Sequence, residues 1–226
     1  MTIKISLTEN YDDKESSLYF RADYQKLFSK VYKSNYKFIK IQSDGKTSFL
    51  PIILRELDFK NYEAFSAYGY GGIFGDKISL SDYDVDNIKK YLSSINIHSL
   101  FIRHSPFCDN HLIWPRKNIE ANRITYQTRL SKTNNFKLLK AKLKQKIRAS
   151  INHSEKNGFL PFMIRNPLLD NSLKDFYKLY ITRMDELSSS KFYYFDYSFF
   201  ENHFIYFPER CKLIVIKNSL GVIVSG

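Results

Sequence analysis

The sequence has little cysteine and no long apolar run. Its two cysteines, Cys108 and Cys211, stand 103 positions apart and form no Cys-x-x-Cys pair, so the pattern indicates neither a metal site nor a disulfide framework. No stretch approaches the roughly 20 apolar residues that a membrane-spanning helix needs, and the N-terminus lacks the apolar run of a secretion signal. We therefore expect a cytoplasmic protein with no transmembrane segment and no metal.

Acidic residues are in deficit, with 23 Asp and Glu against 35 Lys and Arg, which gives a formal net charge of +12. The excess is uneven, because residues 1–131 carry a net +4 and residues 132–226 a net +8. Between Lys132 and Ser154 there are seven basic residues and no acid. This distribution indicates an anionic partner, either phosphates of a cofactor or precursor, nucleic acid, or an acidic membrane surface. The alternative is a solvated lysine face that serves solubility.

Glycine is also scarce, but four of the eight glycines fall within seven positions of the segment from Glu63 to Asp76. Tyr68 and Tyr70 stand between them. The segment has no Lys-Ser/Thr after its glycines and no GxGxxG spacing, which argues against a phosphate-binding loop. A strand before the glycines and a short strand at 72–74 predict a turn that displays the two tyrosines. A hairpin or bulge whose glycines serve only backbone geometry remains the alternative.

The apolar content of 43% and the aromatic content of 16% are those of a folded globular protein, and the order of its predicted elements is that of an α/β protein. Helical periodicity and capping signals alternate along the chain with strand-like runs and turn signals. The predicted helices cover 16–34, 82–95, 134–158, 172–187 and 197–207. The predicted strands cover 36–42, 49–57, 99–104 (buried), 123–130, 159–164, 212–216 and 222–224.

The predicted helix over 134–158 is amphipathic and basic, and Gly158 is placed to end it. Its apolar residues recur at steps of three and four and form one narrow stripe: Phe136, Leu139, Leu143, Ile147 and Ile151. Its other faces carry Lys137, Lys140, Lys142, Lys144, Lys146 and Arg148. Such a helix can pack on a sheet, and it can equally lie on a membrane or on nucleic acid.

Four segments, in order, resemble the Fem-type peptidyl transferases of peptidoglycan bridge synthesis and their relatives among the GNAT N-acyltransferases. They are Phe49-Leu-Pro-Ile-Ile, Ser66-Ala-Tyr-Gly-Tyr-Gly-Gly, Phe101-Ile-Arg-His-Ser-Pro-Phe and Lys146-Ile-Arg-Ala-Ser-Ile-Asn-His-Ser-Glu-Lys-Asn-Gly. The tyrosine–glycine segment is the specific one, although Ala67 and Ile73 replace two prolines of the family's pattern. The gap before Gly158 is also wider than in that pattern.

The resemblance implies an α/β fold of two GNAT-like subdomains, over 1–131 and 132–226, with mixed sheets flanked by helices around a shared cleft. The second half stops in mid-sheet, so we expect an incomplete second subdomain. The implied reaction is attack of an amine on an activated acyl group, with acyl-CoA (acetyl-CoA) or aminoacyl-tRNA as the donor. The implied acceptor is an anionic nucleotide- or lipid-linked glycan or peptide precursor of the cell wall. A single helix over 134–158, in place of the family's long helical hairpin, favours acyl-CoA.

The candidate substrate-binding residues are Tyr68, Tyr70, Gly71, Gly72, Arg103, Lys144 and Arg148. The tyrosines can hydrogen-bond an acceptor or pack beside a bulge, and Arg103 can bind an anion or form a structural ion pair. Arg148 lies beside the apolar stripe and is the favoured anion contact. His104 and His153 are candidate proton acceptors, and the catalytic residue stays open. Trp114 is assigned to the core or its rim.

The sequence leaves two rival functions open. One is a basic protein that binds nucleic acid or a membrane through the segment from Lys132 to Ser154, with peripheral membrane contact. The other is a shortened, inactive acyltransferase-like chain.

Overall fold

The computed structural model describes residues 3–11, 17–121, 124–125 and 136–226. The chain divides into two compact units, Met1–Thr125 and Tyr126–Gly226. The predicted subdomain boundary between 131 and 132 lies outside the described residues. So does the strand predicted over 123–130, apart from Ile124 and Thr125.

The first unit is a mixed sheet flanked by helices. Its strands are β1 (Lys4–Thr8), β2 (Asn35–Ser43), β3 (Lys46–Glu56), β4 (Tyr62–Phe65), β5 (Phe74–Gly75) and β6 (Ile97–Phe101). Its helices are α1 (Ala22–Val31) and α2 (Asp82–Ser94), with short 3-10 helices at Leu18–Phe20, Asn110–Ile113 and Arg116–Asn118. The strand order is β1-β2-β3-β4-β6, with β5 also paired to β3. All pairs are antiparallel except β4 with β6.

Local sequence explains most of these elements. Asp44 and Gly45, with φ of 51° and 73°, form the tight β2–β3 turn that the Asp-Gly pair predicts. Ser81 and Asp84 form a reciprocal capping box at the start of α2. The helix predicted over 16–34 is shorter than expected, because a 3-10 turn precedes α1.

Alternating side chains of β2 and β3 bury both faces of this sheet. Ile39, Ile41, Leu50 and Ile52 form one cluster together with Val85, Ile88 and Leu92 of α2. Phe38 directly precedes Ile39 in sequence and points to the opposite face, where it packs with Phe20 and Phe74. The aliphatic core and the aromatic core thus stand on opposite sides of one sheet.

The second unit contains a three-stranded sheet with the order β7-β8-β9, antiparallel throughout its described strands. Its strands are β7 (Leu160–Ile164), β8 (Leu213–Lys217) and β9 (Ile223–Ser225). Its helices are α3 (Phe136–Ala141), α4 (Gln145–Lys156), α5 (Ser172–Glu186) and α6 (Tyr197–Tyr206), with a 3-10 turn at Lys191–Tyr193. Aromatic contacts join α5 to α6, for example the edge-to-face pair of Phe176 and Phe200 at 5.5 Å between ring centroids.

The prediction of one helix over 134–158 is wrong. The first helix, α3, ends at Ala141 and the second, α4, begins at Gln145, because Lys144 has an extended ψ of 145°. Neither helix has a fully buried residue, while Leu139 and Ile151 of the apolar stripe are half-buried. Gly158 does follow the end of α4, with a φ of 77°.

The strand predicted as buried over 99–104 ends earlier than expected and is mostly exposed. β6 ends at Phe101, and Ile97 is its single buried residue, while Phe101 is 66% exposed. β6 is exposed because it lies at one end of the strand order. Within the described parts of the chain, no helix is both long and apolar enough to cross a membrane.

Candidate functional site

The parallel pair of β4 and β6 opens at its carboxyl end. Ser66 donates its N–H to the Phe101 carbonyl at 3.0 Å, and the next bond runs from the N–H of Arg103 to Ser66 Oγ at 2.9 Å. The backbone pairing resumes only at Gly71, whose N–H donates to the Arg103 carbonyl at 2.7 Å. Residues 67–70 are therefore looped out of the ladder, and the Ser66 hydroxyl replaces a backbone acceptor.

Glycine is required at both residues where this loop rejoins the sheet. A Cβ at Gly71 would lie 2.6 Å from Ser66 Oγ, and a Cβ at Gly72 would lie 1.9 Å from Asn110 Nδ2. Gly72 also has a φ of +131°, which side-chain-bearing residues rarely adopt. Asn110 Nδ2 donates to the Gly71 carbonyl at 3.1 Å. The two glycines therefore let the side chains of Ser66 and Asn110 pack directly on the backbone.

The two tyrosines of the loop have different surroundings. The Tyr70 ring makes edge-to-face contacts with Tyr19 at 5.4 Å and with Phe107 at 5.9 Å between centroids. The Tyr68 side chain is 40% exposed, while its carbonyl accepts the hydroxyl of the buried Tyr24 at 2.7 Å. Tyr70 is thus fixed by an aromatic cluster, and Tyr68 projects partly into solvent.

Arg103 brings a positive charge to this cluster. Its Cζ lies 5.2 Å from the centroid of the Tyr70 ring, a distance at which cation and ring attract each other. The residue is exposed. Among the residues that the structure describes, no acidic side chain forms an ion pair with Arg103. The charge is therefore available to an anionic ligand, and the alternative of a structural ion pair finds no support there.

His104 lies directly beyond Arg103 and forms an isolated parallel bridge with Gly71. Its Nδ1 is buried without a hydrogen-bond partner, and so is Oδ1 of Asn110. Burial lowers the pKa of His104; the Asn110 side chain acts in the opposite direction, and the nearby His111 lowers the pKa further. The imidazole is therefore mainly neutral at pH 7, the form that can accept a proton.

Burial raises the pKa of two tyrosines that border the loop. It raises the pKa of Tyr19, with Tyr70 adding to the increase and Arg103 opposing it. It raises the pKa of Tyr32 to about 12, with Tyr68 adding to the increase and Arg55 opposing it. Both hydroxyls are protonated at neutral pH, as tyrosines ordinarily are, and can donate hydrogen bonds.

The structure brings five of the seven predicted site residues together in the first unit: Tyr68, Tyr70, Gly71, Gly72 and Arg103. Lys144 and Arg148 belong to the second unit. Lys144 is exposed and immediately precedes α4. Arg148 Nη1 donates to the Ala141 carbonyl at 2.7 Å and so satisfies an acceptor at the end of α3. Arg148 thus has a structural contact, and the anion contact that we expected from it stays a prediction.

The other candidates differ in burial. His153 is exposed on α4, whereas Trp114 is 9% exposed and belongs to the aliphatic core of the first unit. Sequence patterns did not single out Ser66, Asn110 or Tyr19. Ser66 opens the tyrosine–glycine segment, which is the one signal that could have identified it. For Asn110 and Tyr19 the sequence offers none, because their roles depend on contacts with residues far along the chain.

The Arg103 cation thus lies beside the Tyr70 ring, and the His104 ring lies beside His111, with 6.4 Å between the ring centroids. The exposed cation can hold an anionic group, and the neutral imidazole can accept a proton. No family model matches the chain, and no curated protein matches it either.

Proposed function

We propose that the chain is an N-acyltransferase with GNAT-like subdomains, similar to the Fem-type enzymes. The observation that supports this most is the contact of the Arg103 guanidinium with the Tyr70 ring at the carboxyl end of the β4–β6 pair. Ligands of open α/β sheets bind at this end of the strands. The tyrosine–glycine segment that carries the resemblance lies at the same end of these strands.

In the proposed reaction an amine nitrogen attacks the carbonyl carbon of an acyl thioester, and the carbon–sulfur bond breaks to release the thiol. The amine must lose a proton, and the neutral His104 imidazole is the proposed acceptor. Arg103 and the tyrosine hydroxyls supply charge and hydrogen bonds for phosphates or for the developing oxyanion. Positioning supplies most of the remaining acceleration.

The proposed donor is acyl-CoA, and the proposed acceptor is an amine of an anionic nucleotide- or lipid-linked cell-wall or surface-glycan precursor. Both partners carry phosphates, which complement the net charge of +12. Aminoacyl-tRNA is the second donor of the family. It is less favoured because α3 and α4, with 6 and 12 residues, are too short for a long helical arm. An enzyme with these substrates acts in the cytoplasm.

The test is thermal unfolding of the 226-residue chain with acetyl-CoA, with CoA and with a nucleotide-linked amino sugar. A ligand that binds the native state raises the unfolding temperature by mass action, equivalent to about 2.7 kcal/mol at roughly a hundred times its Kd. We expect acetyl-CoA and CoA to stabilise the chain, and release of free thiol from acetyl-CoA when an amine acceptor is added. Absence of any stabilisation would contradict the proposal.

A second candidate function is binding to an anionic surface, and a separate observation favours it. The basic helices α3 and α4 have no buried residue. These helices belong to the second unit, whereas Arg103 and Tyr70 belong to the first.

A further inference from the structure

The segment 136–156, comprising α3, the turn at 142–144 and α4, is here named the basic helical surface. It exposes several large apolar side chains. Phe136 is 63% exposed, Leu143 is 37% exposed and Ile147 is 47% exposed. These are members of the stripe that would be buried if the segment packed on its own sheet. Leu139 and Ile151 of the same stripe are half-buried, so the exposed apolar residues of the basic helical surface are Phe136, Leu138, Leu143 and Ile147.

The charge of this surface has one sign. It carries six lysines and one arginine, and Glu155 is its single acid. Glu155 accepts a hydrogen bond from Lys140 Nζ at 2.8 Å, so this carboxylate is already neutralised by a lysine of the same surface. Lys137, Lys142, Lys144 and Lys146 are exposed. The surface thus presents unopposed positive charge beside exposed aliphatic and aromatic groups.

The two helices are held together before any partner arrives. The Lys140–Glu155 ion pair and the hydrogen bond from Arg148 to the Ala141 carbonyl both connect α3 with α4. Two short helices joined in this way keep their lysines and apolar residues in a fixed arrangement. Binding therefore does not have to supply the full cost of helix formation.

The mixture of groups distinguishes between two anionic partners. Nucleic acid is bound mainly by positive side chains that contact its phosphates and by aromatic side chains that stack on exposed bases. Leucine and isoleucine side chains contribute little to such binding. An anionic bilayer can bind both kinds of side chain on this surface. The lysines contact its headgroups, and the apolar side chains enter the boundary between headgroups and acyl chains. Lysine stems can also lie along that boundary.

We propose that the basic helical surface is a peripheral docking site for an anionic lipid surface. The observations that carry it are the exposure of Phe136, Leu143 and Ile147 and the excess of lysines around them. All residues of this surface lie in the second unit, whereas Tyr70, Arg103 and His104 lie in the first. It would hold the protein at a membrane that carries acidic headgroups without a membrane-spanning helix.

The test is cosedimentation of the full 226-residue chain with vesicles of phosphatidylglycerol and phosphatidylcholine, and with vesicles of phosphatidylcholine alone. We expect binding to the anionic vesicles only, with affinity that falls as salt is added. The triple variant Lys142→Gln, Lys144→Gln, Lys146→Gln should weaken binding by on the order of a hundredfold. The control is Lys46→Gln, Lys77→Gln, Lys90→Gln, which removes the same charge from exposed positions of the first unit and should retain most of the binding.

The contribution of the exposed apolar side chains to vesicle binding is tested with Phe136→Ser combined with Ile147→Ser. This pair should lose at least about tenfold in vesicle affinity, whereas Leu169→Ser combined with Leu220→Ser should not, although both leucines are 84% exposed in the same unit. Unfolding of the second unit by the first pair would overturn the proposal, because the stripe would then belong to a core. Equal binding to a DNA duplex, unaffected by the same pair, would overturn it in favour of nucleic acid.

Discussion

Ser66 Oγ accepts the backbone N–H of Arg103 at 2.9 Å, and the hydroxyl thereby joins two parallel strands where their backbones part. The same Arg103 accepts the N–H of Gly71 through its carbonyl. One residue is thus clamped on both of its backbone polar groups by the two ends of the tyrosine-bearing loop. This clamp fixes the position from which the Arg103 guanidinium extends over the Tyr70 ring.

Replacing Ser66 by alanine should destabilise the first unit by about 1–2 kcal/mol, because the Arg103 N–H loses its acceptor in a place where water has little access. Ser66 itself is 9% exposed. The measurement is urea unfolding, combined with hydrogen exchange at the Arg103 amide, which should become faster. The control is Ser79→Ala at an exposed position, and equal stability of the two variants would argue against the clamp.

Gly72→Ala should cost about 2 kcal/mol or more, since the new methyl group meets Asn110 Nδ2 and the backbone has a strained φ for alanine. Gly45→Ala is the matched control, because Gly45 has a φ of +73° but no atom lies within 4 Å of the place that its Cβ would take. Its cost should be limited to about 1–2 kcal/mol of backbone strain. Combining Gly72→Ala with Asn110→Ala should recover part of the loss. Equal costs for the two glycine variants would contradict the packing described for Gly72.

His104 should make the first unit less stable in acid. Because burial lowers its pKa in the folded protein from the ordinary 6.5, the unfolded chain binds a proton more readily than the folded one. The stability contribution is therefore complete above about pH 6.5 and is lost as the pH falls through the folded pKa. Asn110 and His111 face the ring and modulate this loss.

The measurement is the urea midpoint at about pH 7.5 and about pH 5. His104→Gln should show a smaller drop between the two than the unmodified chain. Burial likewise lowers the pKa of His203 in the second unit, opposed by the Phe199 carbonyl, so unfolding must be followed separately in each unit. The exposed His153→Gln serves as the control. An unchanged acid dependence in His104→Gln would show that the imidazole is not the group responsible.

Several elements followed from local sequence alone, and their physical causes are local too. The Asp44-Gly45 turn, the capped helix α2 and the glycine after α4 each depend on residues within a few positions of one another. The tyrosine–glycine segment was likewise recognisable as a turn after a strand. Such features are visible in sequence because the backbone conformation and the hydrogen bonds that cause them involve neighbours.

Other features depend on distant contacts, and the sequence could not reveal them. Proline is usually confined to edge strands or to the start of a strand, but Pro51 pairs with Phe38 in the middle of β3. It is tolerated because β4 pairs with residues 53–56 and β5 with residues 48–49, so neither pairs with Pro51 on that side. The break between α3 and α4 has no proline or glycine to mark it, and the apolar periodicity continues through it. Arg148 and Glu155 stabilise the two helices through contacts that periodicity does not show.

If Arg103 and its neighbours form a ligand site, calorimetric titration with CoA should detect binding that depends on Arg103. The unmodified chain is compared with Arg103→Gln and with Arg116→Gln, which removes the same charge from another exposed position of the first unit. We predict that Arg103→Gln weakens CoA binding at least about tenfold, as expected for loss of a charge-assisted contact of about 1.5–3 kcal/mol, while Arg116→Gln binds as the unmodified chain does. Equal affinity of all three proteins, or no CoA binding by any of them, would show that Arg103 is not part of a CoA site.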